Sequence, residues 1–452
     1  MNAAPFLVLI CLLSSWSLRA SDPVTPGPEL VVNPTFITDG EAPPQPWQAW
    51  LPEWTSARIT LAPSPEGLIA SATNQAFAVG GVSQPLRGIQ GGRSYAVEVR
   101  ADLVNLPQPH QSALVRITWQ RDGEALHPAG ALVRGPFTTG EPAVFRDLLV
   151  APVDADSALL SLEVKWPRGG SVRWRSASVR LGTEAPTRKA RLGTAYLRPE
   201  KSTPEQNLTL WCDQIAAAGR LGLDIVCLSE AILSVGTQAA TREIAETIPG
   251  PTSERLGAAA RQHRLWVVAG VMEREGATLF NTAVLFDRQG RIAGRYRKVH
   301  LPREEWQKGI TPGTDYPVFQ TDFGTVGLMV CYDYFFPETV QILAQNGAEI
   351  VFAPTWGTTF ADREGRVEGQ TIFRVRARDN GVFLVTSVYD GDSLVIDPLG
   401  RVLASSQGQT GVVWAEADLD QREPLWWVGH WRSIGPRDRM PETYQPLSVP
   451  LR

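Results

Sequence analysis

The stretch Val326-Gly-Leu-Met-Val-Cys331-Tyr-Asp-Tyr-Phe-Phe-Pro337-Glu338 decides how this chain is read. Its first five residues form a short apolar run of the kind that makes a fully buried strand. Pro337 followed by Glu338 fits the first turn of a helix, where the missing N–H of proline costs nothing. Cys331 therefore stands at the carboxyl end of a buried strand, on a tight turn before a helix. In layered α/β folds such strand ends open into the ligand crevice, and a nucleophile on such a turn is presented to substrate.

The same grammar extends on both sides. Leu223-Asp-Ile-Val-Cys-Leu-Ser-Glu230 is an apolar strand ending in a carboxylate, and period 2 puts Val226, Leu228 and Glu230 on one face with Cys227 opposite. Gly294-Arg-Tyr-Arg-Lys298-Val-His-Leu-Pro302 reads as a strand over Arg295–Leu301 with Lys298 and His300 on one face. Further strands are expected at Leu265–Met272, Leu279–Phe286, Ile350–Ala353, Val382–Val388, Ser393–Ile396 and Val412–Ala415. Helices are expected from Pro204 to about Gly222, with Leu208, Trp211, Cys212, Ile215 and Ala218 on one face, and at Ser253–His263, Pro337–Gln345 and Val367–Asp379. This alternation predicts an α/β layered domain over residues 190–452.

The front of the chain follows a different period. Ala57–Leu61, Tyr95–Leu103, Ala113–Gln120, Phe145–Val150, Ala158–Lys165 and Ser171–Leu181 read as short strands between turn residues. In the last of them Val172, Trp174 and Ser176 fall on one face. Regular short strands of this kind predict an all-β sandwich over residues 21–185. Glu184-Ala-Pro-Thr-Arg-Lys-Ala190 reads as the linker.

Composition removes several classes of function. Lys and Arg number 43 against 47 Asp and Glu, a net charge of −4, which disfavours nucleic-acid partners. Five His and four Cys with no CxxC pair and no HExxH give no zinc site, so neither a metal nor another cofactor is expected. The mostly apolar Ala3–Leu18, with small Ala20 before Ser21, predicts a signal peptide at residues 1–20 and export to the periplasm or outside. No apolar run is long enough for a transmembrane span. Loss of Cys11 with the signal peptide leaves Cys212, Cys227 and Cys331, the first two of them packed free thiols or an oxidised pair.

Glu230, Lys298 and Cys331 make a chemically coherent set. A buried carboxylate needs a partner, which Lys298 can be. A cysteine thiol can attack a carbonyl while the carboxylate takes its proton and later protonates the leaving group. A lysine can stabilise the resulting oxyanion together with a backbone N–H after the nucleophile. His300 is the alternative base in a Cys-His arrangement.

These segments resemble the nitrilase superfamily of carbon–nitrogen hydrolases. The matching stretches are Asp224–Glu230, Tyr296–Pro302 and Gly327–Glu338, followed by Ala353-Pro-Thr-Trp-Gly357, Arg376-Ala-Arg-Asp-Asn-Gly381 and Ser393–Gly400. The resemblance implies a four-layer α-β-β-α sandwich that often pairs into homo-oligomers. It implies Glu230 as base, Lys298 as oxyanion stabiliser, Cys331 as nucleophile and the N–H of Tyr332 in the oxyanion hole, with Trp356 flanking the substrate. A second glutamate is implied after the lysine; Glu304 and Glu305 both offer, and Glu305 is favoured. Cys-Tyr-Asp is similar to the amidase and carbamoyl-hydrolase branches more than to nitrilases, which tend to carry Trp-Glu after the cysteine. The implied substrate is thus a small-molecule amide or carbamoyl compound, with a nitrile or an acyl transfer as alternatives.

At the front, Leu30-Val-Val-Asn-Pro-Thr-Phe36 and Gln45-Pro-Trp47 resemble jelly-roll modules of the carbohydrate-binding, galactose-binding-like type. That implies contact with a glycan or the cell envelope, through a stacking platform drawn from Trp47, Trp50, Trp54, Trp119, Trp166 and Trp174, residues whose other role is core packing. An exported glycan-binding protein with a degenerate hydrolase half is the alternative of another class. Asn207-Leu-Thr209 is a glycosylation sequon placed inside a helix.

Overall fold

The computed structural model describes residues 27–449, apart from 39, 41, 55–56, 73–74, 139–141, 184–186 and 359–368. The predicted signal peptide and the first residues of the predicted linker lie outside the described residues. The chain divides into two compact units, residues 1–185 and 186–452.

The first unit is built from two antiparallel sheets. One runs Gln48–Trp50, Val79–Arg87, Ser157–Lys165, Ala113–Arg121, Glu124–Ala125, with Ala131–Leu132 also paired to Ala113–Arg121. The other runs Thr60–Ser64, Gly67–Ser71, Ser171–Leu181, Ser94–Val104, Ala143–Val150. Val82, Leu160, Leu162 and Ile117 of one sheet share a single core with Val99, Phe145 and Trp174 of the other.

Val79–Arg87 was unreadable as a strand because Gly80, Gly81 and Pro85 look like turn residues. Gly81 sits so close to the neighbouring strand that a Cβ there would lie 2.1 Å from the Leu162 carbonyl oxygen. Pro85 lies beyond the stretch paired with Gln48–Trp50, where a missing donor is tolerated. In Ser171–Leu181 the expected phase is corrected by a bulge between Trp174 and Ser176. Val172 and Trp174 point inward, and after the bulge Ala177 and Val179 do so instead of Ser176.

Trp47, Trp119 and Trp174 are buried in this core, so they are not available as a stacking platform. Trp50 and Trp54 are exposed and Trp166 is half-buried. The Asn33 motif is turn chemistry. Asn33 takes a positive φ of 54°, its side chain ties down Ile37 and Gln45, and its carbonyl accepts the Trp47 indole N–H.

The second unit carries two six-stranded sheets. The first runs Ile292–Arg297, Thr278–Phe286, Trp266–Glu275, Ile225–Cys227, Lys189–Tyr196, Gly411–Asp418. The second runs Val318–Gln320, Thr325–Leu328, Ile350–Pro354, Phe383–Ser387, Leu394–Ile396, Val402–Ser405. In each sheet three neighbouring strands are parallel and share the direction of their carboxyl ends. Leu192, Cys227, Val268 and Leu285 of the first sheet pack with Val326, Leu328, Phe352 and Leu384 of the second.

Helices Pro204–Arg220 and Pro251–His263 lay Leu208, Trp211, Ile215, Leu256 and Ala260 on Val226 and Val267 of the first sheet and on Leu228 just beyond its strand. Thr203 and Gln206 close a capping box at the start of the first of these helices, with Pro204 at its opening turn. Helices Pro337–Gln345 and Gly369–Asn380 add Val340, Leu343, Phe373 and Ala377 to the core of the second sheet.

The linker reading is corrected at its end. Lys189 already begins the strand Lys189–Tyr196, and the Arg188 guanidinium is bound by Glu349 and Asp420. Cys212 and Cys227 are free thiols. Asn207 is buried and donates to the Val235 carbonyl, so its amide is engaged inside the fold.

Candidate active site

The three strand-end residues come together. Glu230 lies three residues beyond the strand Ile225–Cys227, and Lys298 one residue beyond Ile292–Arg297. Both were expected on strands. Cys331 lies three residues beyond Thr325–Leu328, at the start of the 3-10 turn Cys331–Phe335.

Glu230 is fixed through its backbone. The Gly270 N–H donates to the Ser229 carbonyl at 3.0 Å, and the Ile232 N–H to the Gly270 carbonyl at 2.9 Å. Only glycine permits this approach, since a Cβ on Gly270 would stand 2.6 Å from the Glu230 Cα. From the second sheet, Ser387 Oγ meets Ser229 Oγ at 2.8 Å, and Tyr389 Oη donates to the Glu230 carbonyl at 2.8 Å.

Lys298 is almost wholly buried between two carboxylates. Its Nζ donates to Glu230 Oε1 at 2.9 Å and to Glu305 Oε1 at 2.7 Å. Of the two glutamates offered by the sequence, Glu305 is the one that reaches the lysine, whereas Glu304 is exposed. Burial works against the ammonium, yet the carboxylate charges of Glu230 and Glu305 outweigh it and hold its pKa above the ordinary lysine value. Burial, opposed by Lys298 and reinforced by Glu230, pushes Glu305 up to about 7.

Cys331 is half-buried and adopts a φ of 42°, a left-handed conformation that costs a non-glycine residue about 1–3 kcal/mol. Burial, with Glu230 nearby, pushes the thiol well above its ordinary pKa, against the pull of the Lys298 charge. The Glu230 carboxylate is among the charges that act on this thiol. The thiol is therefore neutral at rest, and its proton has a carboxylate beside it. Trp356 is half-exposed, with its ring edge against Tyr389. Tyr332 follows the cysteine, its ring against Phe335 and Phe336.

Asp333 holds the turn. Its fully buried carboxylate accepts from the Val330 N–H, the His300 N–H, His300 Nδ1 and Tyr296 Oη, at 2.7–3.0 Å. This ties the cysteine's segment to the lysine's. His300 spends Nδ1 on Asp333 and stacks its ring on Phe336 with centroids 3.8 Å apart, so its groups serve packing. Arg376 closes the far end of the turn by donating to the carbonyls of Tyr334 and Phe335.

Asn281 was missed. Its Nδ2 donates to Glu230 Oε1 at 2.7 Å and to Glu305 Oε1 at 3.1 Å. The available signal was an asparagine within the apolar strand Leu279-Phe-Asn-Thr-Ala-Val-Leu-Phe286. Among the described residues no group of three or more His, Cys, Asp or Glu could hold a metal ion.

A family model described as carbon-nitrogen hydrolase matches residues 191–425, just over half of the chain. The chain belongs to the carbon–nitrogen hydrolase family. Over 237 residues the hydrolase is 31% identical to the omega-amidase NIT2 of Homo sapiens, covering 48% of this chain and 85% of that protein. It is 31% identical over 215 residues to the probable nitrilase C965.09 of Schizosaccharomyces pombe, covering 44% of this chain and 76% of that one. Among solved structures, an amidase from Nesterenkonia sp. is 24% identical to the hydrolase, spanning 59% of this chain and 99% of that chain at a TM-score of 0.49. The enzyme is thus a carbon–nitrogen hydrolase with amidases among its relatives.

Proposed function

We propose that the protein hydrolyses a small amide or carbamoyl compound through a thioester on Cys331, with Glu230 and Lys298 completing a catalytic triad. The observation that carries this reading is a buried Lys298 ammonium bound by Glu230 at 2.9 Å and by Glu305 at 2.7 Å, with a cysteine held on a left-handed turn within their electrostatic reach. As Cys331 Sγ attacks the carbonyl carbon, its proton passes to Glu230. The oxyanion forms against Lys298 Nζ and the Tyr332 N–H. Lys298 stays protonated, which suits an electrostatic stabiliser and not a base. Glu230 then gives its proton to the departing nitrogen, which leaves as ammonia or amine. Water attacks the thioester while Glu230 takes one of its protons, and the acid and free thiol are released. The omega-amidase relatives support an amide as substrate.

Two sheets facing across one core, each with a helical pair packed on it, support the four-layer α-β-β-α reading of the second unit. We read the first unit as an accessory jelly-roll module that docks the exported enzyme to a glycan or to the cell envelope. Exposed Trp50 and Trp54 are its candidate contacts. We also expect the hydrolase to form homo-oligomers.

The test is ammonia release from paired amides, ureido acids and nitriles, with Cys331→Ala as the blank. Cys331→Ala, Lys298→Ala and Glu230→Gln should each lower turnover by roughly 10³-fold or more in a folded protein. Thiol alkylation should inactivate the wild type, with the label on Cys331 by mass. Substantial turnover by Cys331→Ala would sink the mechanism.

A further inference from the structure

We propose that Asn281 is a positioning residue whose amide holds Glu230 and Glu305 apart as two separate acceptors on one Lys298 ammonium, so that Glu230 stays ionised and free to take the thiol proton. This rests on the reading of Glu230 as the base.

Two carboxylates that share one cation in a buried site repel each other, and the ordinary relief is for one to take up a proton. A protonated carboxyl needs an acceptor. Here that acceptor would be the other carboxylate, because Glu230 and Glu305 already converge on the same donors. A proton held between them would occupy the lone pair that the thiol proton needs.

Asn281 supplies the alternative. Its Nδ2 has two hydrogens and gives one to each Oε1, at 2.7 and 3.1 Å, beside the two bonds from Lys298 Nζ. Four donor contacts thus fall on two oxygens. The Asn281 amide hydrogen bond acts to lower the Glu305 pKa, against the burial that raises it.

The amide is oriented by this task alone. Asn281 is almost wholly buried, and its Oδ1 has no partner among the described residues. An asparagine kept for packing or strand register would satisfy both ends, since an unmatched buried carbonyl costs about 1–3 kcal/mol. The backbone is committed as well, because the Asn281 carbonyl accepts the Lys298 N–H at 2.8 Å. One residue thereby sets the lysine's main chain and both carboxylates. The titratable groups facing the cluster are Lys298, Glu230, Glu305 and Cys331, with the Tyr334 and Tyr389 hydroxyls, whose pKa values burial and the Glu230 charge hold above the ordinary tyrosine value. The nearby Glu273 is held by Thr282, Arg295 and Arg297.

The test compares the pH dependence of kcat/KM for the wild type, Asn281→Ala and Asn281→Asp on a primary amide the enzyme accepts. Circular dichroism and Tm report on folding. Asn281→Ala should move the acid limb up by about one pH unit and lower kcat at pH 7 by roughly 10- to 100-fold, with KM changed less than about threefold. Asn281→Asp keeps the shape but loses the donors and adds a third carboxylate, so its loss should be larger. A folded variant whose acid limb stays in place overturns the proposal, as does failure of both variants to fold, which would make the residue structural. Cys331→Ala run alongside separates the two readings. If it is inactive while the acid limb of Asn281→Ala is unmoved, only the role of Asn281 falls; if it turns over, the triad itself falls.

Discussion

Tyr389 donates its hydroxyl to the backbone carbonyl of Glu230 at 2.8 Å. Tyr389 follows the strand Phe383–Ser387 of the second sheet and Glu230 follows Ile225–Cys227 of the first, so the bond crosses from one sheet to the other. The Ser229–Ser387 hydroxyl pair runs beside it. The two sheets each bring one end of the proposed proton transfer, Glu230 beyond a strand of the first and Cys331 beyond a strand of the second. Their relative position is therefore a matter of hydrogen bonding as well as of apolar packing.

Tyr389→Phe should leave the Glu230 carbonyl buried without this donor. The expected cost is about 1–3 kcal/mol in urea denaturation, together with a lower kcat as Glu230 loses its anchor. Unchanged stability and unchanged kcat would show that the bond holds nothing.

Gly270→Ala places a methyl 2.6 Å from the Glu230 Cα and 2.8 Å from the Ser229 carbonyl oxygen, both backbone atoms that cannot swing aside. The loop must shift, and small misplacement of a catalytic group is expensive. Activity should fall by at least about tenfold while circular dichroism still reports a folded protein. Full activity in the variant would mean that the base tolerates displacement.

Asp333→Ala should be among the most damaging single changes outside the triad. It strands the Val330 and His300 N–H groups and the Tyr296 hydroxyl, all within hydrogen-bond reach of one buried carboxylate. A loss of about 3 kcal/mol or more is expected from chemical denaturation. The alkylation rate of Cys331 should change with it, because the turn that holds its positive φ is released.

Glu305 contributes a pH-dependent stability whose sign is fixed by its pKa of about 7, above the ordinary value of 4.5. The folded state binds this proton more tightly than the unfolded state does. Its contribution is therefore fully present below about 4.5 and is lost as pH rises through about 7. Wild type minus Glu305→Gln stability should fall by roughly 1–3 kcal/mol across that window. Differential denaturation at pH 4.5 and pH 8 measures it, and a difference that grows with pH would contradict the assignment.

A chain beginning at Arg188 should fold without residues 1–187 and keep its kcat on a small amide. The apolar clusters of the second unit draw only on residues from Ala190 onward, and Arg188 retains Glu349 and Asp420. The first unit likewise has a core of its own. A soluble, folded but inactive chain would show that the front unit takes part in catalysis.

The sequence by itself determined the type of each half and the three strand-end residues. Helix Pro337–Gln345 stands where Pro337 and the apolar spacing put it, and Cys331 lies on the turn before it. Local rules sufficed there because strand, turn and helix are each specified by adjacent residues. They failed where a neighbour's geometry overrides propensity, as in the Gly-rich strand Val79–Arg87 and at the bulge after Trp174. The choice of Glu305 over Glu304, the clamp by Asn281 and the anchorage by Asp333 and Tyr389 were decided only in three dimensions. Each joins residues from separate strands, turns or a short helix, between 24 and 159 positions apart except for Glu305 and Lys298 at seven and Val330 and Asp333 at three. Hydrogen bonds of that kind depend on sheet register and on the packing between sheets, which no local pattern of residues encodes.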